Sequence, residues 1–126
     1  MILQSKSLTK SFQNGEKILS VLENISIDIY QGDRVTIMGE SGAGKSTLLN
    51  ILGTLDSETS GSLVLNNKNI NDLSRNQIAE LRNKYLGFIY QFHHLLPDFT
   101  AYENVLIPNH IAGNDGDSKK ATELLV

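Results

Sequence analysis

The residues of this chain best suited to chemistry are nine consecutive ones, residues 39–47, which open on the pattern G-x-x-x-x-G-K-[ST]. In order they are Gly39, Glu40, Ser41, Gly42, Ala43, Gly44, Lys45, Ser46 and Thr47. This spacing is typical of a loop whose backbone N–H groups curl around a phosphate, because small side chains let the backbone come close to it. We therefore predict that residues 39–47 bind a nucleotide.

Three of these side chains have specific predicted roles. Lys45 would place its positive charge on the β and γ phosphates, and the hydroxyl of Ser46 would bind Mg²⁺. Thr47 would lie in the first turn of a helix whose N-terminal dipole also favours an anion.

The segments on either side of the loop must position it. Residues 34–38 form a short β-prone run, which predicts a buried strand leading into the loop. After the loop, Leu48, Ile51, Leu52 and Leu55 recur with the spacing of one apolar helix face. Strand, glycine loop and helix together predict an α/β fold, a P-loop NTPase core of the RecA-like type.

The first third of the chain has a different pattern. Ile25, Ile27 and Ile29 alternate with polar residues, as in a half-buried strand, and residues 2–12 form a weaker strand candidate. We predict an N-terminal antiparallel β-layer over residues 1–33, followed by the P-loop core over residues 34–91. Residues 92–126 are predicted to begin a helical region.

Further elements are predicted downstream. Residues 63–65 and the apolar run 86–91 are expected to be strands, the latter ending in Gln91. After a loop at residues 113–117, a helix is predicted to begin near Ser118.

Two capping boxes predict helix starts. Residues 74–77 (Ser-Arg-Asn-Gln) open a helix that should run to about Tyr85. Thr100 and Glu103 open a shorter helix, which we expect Pro108 to end.

Composition excludes several classes of protein. The 126 residues carry a net charge of −3, so the chain lacks the basic character of a nucleic-acid-binding protein, and we expect no nucleic-acid partner. The absence of cysteine excludes a disulfide framework and suits a reducing cytoplasm. No apolar run approaches the ~20 residues of a transmembrane helix, so we expect any contact with a membrane to be made through a partner.

One element of a nucleotide hydrolase is not evident. Such enzymes hold Mg²⁺ with an aspartate at the end of an apolar strand, and neither Asp28 nor Asp56 has that context. Asp98 and Glu103 could act as a general base, but nothing around them in sequence supports the role. We predict that the chain carries half of an active site.

The whole chain resembles the ATP-binding subunits of ABC transporters. Residues 39–47 match their Walker A loop, and Gly61 falls where the family turns into its next strand. The resemblance implies that Phe12 stacks on adenine. It also implies that Gln91 is the Q-loop glutamine, which contacts Mg²⁺ and senses the membrane subunit. Gln91 and Lys45 would be the catalytic residues.

A narrower match lies in residues 86–101, which resemble the lipoprotein-releasing type of these subunits. The triplet Phe92-His93-His94 is the most specific part, whereas Tyr102 departs from the expected leucine. The macrolide-exporter and cell-division types share the outline of this stretch and remain the alternative.

The resemblance implies ATP and Mg²⁺ as cofactors. It also implies that the intact subunit couples ATP hydrolysis to lipoprotein release, as a peripheral protein on the cytoplasmic face of the inner membrane. Its partners would be transmembrane permease subunits and a second ATP-binding subunit, as a homodimer. Since no signature loop, Walker B aspartate, catalytic glutamate or switch histidine is present, we expect a chain truncated before the Walker B half. Such a chain would bind nucleotide without turnover alone.

Other interpretations remain open. The chain could be a non-catalytic binding module, whereas a soluble P-loop kinase or GTPase is disfavoured by residues 91–97. Phe12 could be an ordinary core aromatic, and Gln91 an ordinary polar residue at a strand end. For His93 and His94 we favour contact with a partner over metal binding, because adjacent side chains on an extended segment point in opposite directions.

Overall fold

A computed structural model describes residues 1–113 and 118–125 of the chain. It divides into two compact units, Met1–Arg82 and Asn83–Val126. Its elements are β1 (Leu3–Asn14), β2 (Lys17–Ile29), α1 (Lys45–Leu52), β3 (Ser60–Leu65), β4 (Lys68–Asn69), a 3₁₀ turn (Ile70–Asp72), α2 (Arg75–Tyr85), α3 (Ala101–Ile111) and α4 (Ser118–Leu124).

The first unit contains an antiparallel sheet with strand order β2-β1-β3-β4. The predicted antiparallel β-subdomain is therefore confirmed, and it also includes β3 and β4 from beyond residue 33. Ile25, Ile27 and Ile29 of β2 are half-buried and alternate with exposed polar residues, as expected. Leu8, Leu63 and Leu65 of the sheet are fully buried, as is Ile51 of α1. The apolar side of the sheet and the apolar face of α1 thus supply the core of this unit.

A close backbone approach fixes the pairing of β1 with β3. Their register shifts between Lys6 and Thr9, where Ser7 adopts a φ of 47°. Opposite this irregularity Gly61 has a φ of 100°, and a Cβ there would lie 2.6 Å from the carbonyl oxygen of Ser7. Only glycine fits both the left-handed conformation and the short separation.

The strand predicted at residues 34–38 is wrong. The segment forms no ladder with any other part of residues 1–113 and 118–125, and Met38 is 85% exposed. A strand requires neighbouring N–H and C=O groups, and local β propensity cannot supply them.

The described part of the second unit is helical or irregular. The strand predicted at residues 86–91 is also wrong, since the run pairs with no described segment. Its β propensity cannot supply the neighbouring backbone groups that a strand requires. The capping box of Thr100 and Glu103 is confirmed at the start of α3. The predicted stop at Pro108 is wrong, because α3 continues to Ile111 and the carbonyl of Pro108 accepts a bond from the N–H of Ala112 at 3.1 Å.

Three smaller predictions can also be compared with the structure. The capping box at residues 74–77 is present, and α2 ends at Tyr85 as predicted. The helix predicted near Ser118 is confirmed as α4. Apart from Gly113, the loop predicted at residues 113–117 lies outside the described residues. The sequence analysis did not predict β4 or the 3₁₀ turn.

Candidate nucleotide-binding site

The predicted loop follows the irregular segment 34–38 and runs into α1, whose first three residues are 45–47. Gly42 and Gly44 both have a φ of 82°, a left-handed conformation that glycine adopts without strain. The N–H of Ala43 donates to the carbonyl of Glu40 at 3.2 Å, which closes a tight turn inside the loop. Residues 39–44 therefore form a curled segment, and Lys45, Ser46 and Thr47 follow in the first turn of α1.

The loop lies directly against β2. A Cβ added at Gly44 would lie 3.0 Å from side-chain atoms of Val21 and Leu22 and from the carbonyl oxygen of Val21. On the other side of the curl, a Cβ at Gly39 would come within 3.3 Å of the Cβ of Ala43. These two glycines thus allow the backbone to pass close to the sheet and to itself.

Lys45 directs its ammonium back into the loop. Its Nζ donates to the carbonyl oxygens of Gly39 at 2.9 Å and Glu40 at 2.6 Å, and the residue is half-buried. A positive charge is thereby held beside the backbone of the curl, where an anionic group could be bound.

The start of α1 adds a second electropositive element. Gly44 is the N-cap and offers no side chain, so the first N–H groups of the helix have no capping side-chain acceptor. Residues 45–48 include no acidic side chain that would compete with an anion. Ser46 is exposed and Thr47 half-buried in this first turn.

These residues fit a nucleotide phosphate and Mg²⁺. A Cβ at Gly44 would lie only 3.0 Å from β2, the backbone is positive at the helix start, and Lys45 supplies a full charge. The hydroxyl of Ser46 is a hard oxygen donor, the type that Mg²⁺ prefers.

Phe12 lies near the end of β1, where it pairs with Leu19 of β2. Its side chain is 43% exposed, so it is not an ordinary core aromatic. The Nζ of Lys10 stands 4.9 Å from the centre of the Phe12 ring.

Sequence reasoning missed an ion pair beside Phe12. The ammonium of Lys10 lies 2.8 Å from Oδ1 of Asp56 and donates to the carbonyl of Ser57 at 2.6 Å. The hydrogen bond from Lys10 lowers the pKa of the Asp56 carboxyl, against the opposing effect of burial. The available signal was a lysine at an inward-facing position of an alternating strand, which requires a buried partner for its charge.

The acidic residues considered for catalysis have other structural roles or no visible support. The carboxylate of Glu103 accepts bonds from the N–H and hydroxyl of Thr100, which lower its pKa. Asp28 accepts a bond from the side chain of Gln4 at 2.8 Å, and Asp98 is exposed. None of these residues has the surroundings of a general base.

Gln91 lies in the second unit, in an irregular and exposed segment. Around it the rings of Phe88 and Tyr90 stack with centroids 5.6 Å apart, and Tyr90 meets His94 edge-to-face at 4.9 Å. Nδ1 of His93 accepts from the N–H of Leu95 at 3.2 Å. The two histidines therefore already have different neighbours within the segment.

Comparison with known proteins identifies the family. The sequence model of the ABC transporter family matches residues 22–125. The chain belongs to the ABC transporter family. The resemblance stated from the Walker A loop is thereby confirmed.

Curated relatives of this family member include several lipoprotein-releasing system ATP-binding proteins named LolD. The chain is 48% identical to that of Shewanella frigidimarina over 90% of its own length and 48% of the relative. The protein of Legionella pneumophila is 50% identical over 90% of the chain and 50% of the relative. The chain spans about half the length of these relatives. The similarity confirms the predicted resemblance to the lipoprotein-releasing type.

Solved structures confirm the fold. The dimeric ATP-binding cassette MJ0796, in a post-hydrolysis state bound to ADP and Pi, superposes with a TM-score of 0.89 at 38% identity. The match covers 98% of this chain and 56% of the cassette. This family member therefore has the α/β P-loop fold with its antiparallel β-subdomain. No helix within residues 1–113 and 118–125 is long and apolar enough to cross a bilayer.

Proposed function

We propose that this chain binds Mg²⁺ and ATP as the N-terminal part of an ABC transporter ATPase. One observation carries the proposal: the glycine loop curls around the ammonium of Lys45 at the uncapped start of α1. Residues 1–33 would form the β-layer, residues 34–91 the P-loop core and residues 92–126 the start of the helical region.

Each residue of the loop has a defined part in this proposal. Backbone N–H groups from Glu40 to Thr47 bind phosphate oxygens, and the glycines permit their close approach. The ammonium of Lys45 exchanges its carbonyl partners for the β and γ phosphates, because a positive charge interacts more strongly with an anion than with a carbonyl dipole. Its present bonds at 2.6 and 2.9 Å hold it at the loop beforehand.

The remaining roles fall to Ser46, Gln91 and Phe12. Mg²⁺, when bound, neutralises phosphate charge and polarises the phosphoryl group. Ser46 and Gln91 would hold it through their oxygens, and Gln91 would also sense the γ-phosphate. Phe12 would stack on adenine, an interaction worth ~1–3 kcal/mol per base.

The transported substrate is proposed from similarity. The curated relatives at 46–50% identity are lipoprotein-releasing system ATP-binding proteins, which supports a role in releasing lipoproteins from the inner membrane. The solved cassette neighbours are dimeric, which supports pairing with a second ATP-binding subunit. Permease subunits would then hold the protein at the cytoplasmic face of that membrane. The alternative is a macrolide-exporter or cell-division type of ABC system.

The test of nucleotide binding is a titration of Mg·ATP into this chain, its Lys45→Ala variant and a Lys68→Ala control. Lys68 is an exposed residue of β4, away from the loop, so its loss should leave affinity unchanged. Lys45→Ala should weaken binding at least about 100-fold, because charge-assisted bonds to phosphate contribute ~1.5–3 kcal/mol each. Equal affinity in all three proteins would refute the site.

A second measurement concerns turnover. Since Asp28, Glu103 and Asp56 are engaged by Gln4, Thr100 and Lys10, we expect negligible phosphate release by this chain alone. Steady release that disappears in Lys45→Ala would show that a catalytic acid is present after all.

A further inference from the structure

Lys10 occupies an unusual position for a lysine. The residue is only 9% exposed, on the inner side of β1 opposite the buried Leu22. Two of the three N–H groups of its ammonium are accounted for by Oδ1 of Asp56 at 2.8 Å and the carbonyl of Ser57 at 2.6 Å. The same nitrogen stands over the Phe12 ring at 4.9 Å from its centre.

We propose that Lys10 is a positioning residue for the nucleotide base. Its ammonium, fixed by Asp56 and Ser57, holds the Phe12 ring in the orientation in which its opposite face can stack on adenine. This inference rests on the proposed function, since it takes Phe12 as the aromatic platform for the base.

The physical basis is the contrast in burial between the two side chains. Phe12 is 43% exposed near the tip of the β1–β2 hairpin, so it would lose rotamer freedom when a base stacks on it. A cation over one face is attracted by the ring quadrupole, and more strongly when the cation is desolvated, as Lys10 is. Lys10 thus orders the ring before the nucleotide arrives.

The Lys10–Asp56 pair also links Phe12 to the phosphate loop. Lys10 pairs with Leu22 in the β1–β2 ladder, and Leu22 is one of the residues against which Gly44 packs. Asp56 follows α1, the helix whose first turn ends the loop. The Phe12 ring and the phosphate loop are therefore both held by the β1–β2 ladder and by α1 with the residues that follow it.

A purely structural ion pair makes a different prediction. If Lys10 only stabilised the fold, its loss would lower the free energy of unfolding and weaken every ligand to the same degree. If it positions Phe12, its loss must weaken ligands that have a base and spare those that lack one.

The experiment compares Mg·ATP with Mg·tripolyphosphate, which has the phosphates but no base. Both are titrated into the chain and its Lys10→Met, Lys10→Arg and Lys6→Met variants. We expect Lys10→Met to lose about thirtyfold in affinity for Mg·ATP, the equivalent of the ~2 kcal/mol of a desolvated cation–π contact, and to bind tripolyphosphate within about twofold of the original. Lys10→Arg should restore ATP affinity, because a guanidinium keeps both the ion pair and the cation over the ring.

Lys6 is an exposed lysine of the same strand, so Lys6→Met should change neither affinity. Equal losses for the two ligands in Lys10→Met, or no loss for either, would overturn the positioning role while leaving the proposed function intact. Failure of the unsubstituted chain to bind either ligand would overturn the proposed function and this inference with it.

A second measurement holds even if Lys10→Met does not fold. The chain has four tyrosines and no tryptophan, so Phe12→Trp introduces a single tryptophan at the platform, whose fluorescence can be excited selectively. Adding Asp56→Asn should lower its fluorescence anisotropy, since the ammonium then loses its carboxylate anchor, whereas adding Glu23→Gln at an exposed position of β2 should not. Unchanged anisotropy with Asp56→Asn would also overturn the inference.

Discussion

Two regions of the chain differ in where the hydrogen bonds that shape them come from: the phosphate loop with α1, and the segment of residues 86–91. Both have strong sequence patterns, but Leu48, Ile51 and Leu52 of α1 are buried, while Ile89 is 103% exposed and its segment is irregular. A helix forms its hydrogen bonds within itself, and the loop is shaped by its own glycines. A strand depends on a neighbour, so an apolar run alone does not produce one.

The same distinction applies inside the first unit. The β1–β2 hairpin forms because its two strands are joined by a short turn at Gly15 and Glu16 and pair with each other. The run at residues 34–38 has comparable β propensity but no described partner. Contacts that lie close together in sequence were predictable, and those that require a distant partner were not.

The largest effect should come from the closest contact in the sheet. Gly61→Val would place a branched side chain at a φ of 100° and a Cβ 2.6 Å from the carbonyl of Ser7. We expect the free energy of unfolding to fall by ~3 kcal/mol or more, since strain and overpacking add. Urea unfolding measures this, with Gly15→Val as the control for strain without a clash. Equal losses in both variants would show that the approach of β1 to β3 is not what requires glycine.

The contrast between buried and exposed apolar residues can be tested with two isoleucines. Ile51→Ala removes a side chain with no exposure and should cost about 2–4 kcal/mol of unfolding free energy. Ile89→Ala removes one that is fully exposed and should stay within about 0.5 kcal/mol. Chemical denaturation of the two variants side by side provides the measurement. A large loss in Ile89→Ala would mean that residues 86–91 are packed as a strand in solution.

The candidate site, like the fold, has local parts that the sequence predicts and long-range parts that it does not. Residues 39–47 could be predicted as a phosphate loop because their chemistry depends on local spacing, and the structure places them in one curl and the first turn of α1. The support that Lys10 and Asp56 give to Phe12 could not, because 46 positions separate the two charged residues. Likewise, the need for glycine at residue 61 becomes clear only when β1 is placed beside β3.

The capping box of α3 offers a smaller and strictly local test. The Thr100 hydroxyl accepts from the N–H of Glu103 at 3.2 Å, and the Glu103 carboxylate returns bonds to Thr100. Thr100→Ala should reduce stability by about 1 kcal/mol, the usual value of an N-cap, and lower the helical circular dichroism signal. Thr100→Ser keeps the cap and should lose little. Identical losses in the two variants would assign the effect to the methyl group instead.

The smallest expected effect is the pH dependence of the Lys10–Asp56 pair. The pKa of Asp56 is lowered from 3.8 in the folded chain, so the folded state binds this proton less readily than the unfolded one. The stabilisation is therefore fully present above the unfolded pKa and is lost as pH falls through the lower, folded value. Because the Asp56 side chain is 37% exposed, the pair should contribute no more than about 1 kcal/mol. Unfolding free energies measured between neutral pH and the acid limit should fall less steeply in Asp56→Asn than in the original chain, with the two curves parallel above pH ~5. Parallel curves through the acid range as well would show that the Lys10–Asp56 pair adds no measurable stability to the folded chain.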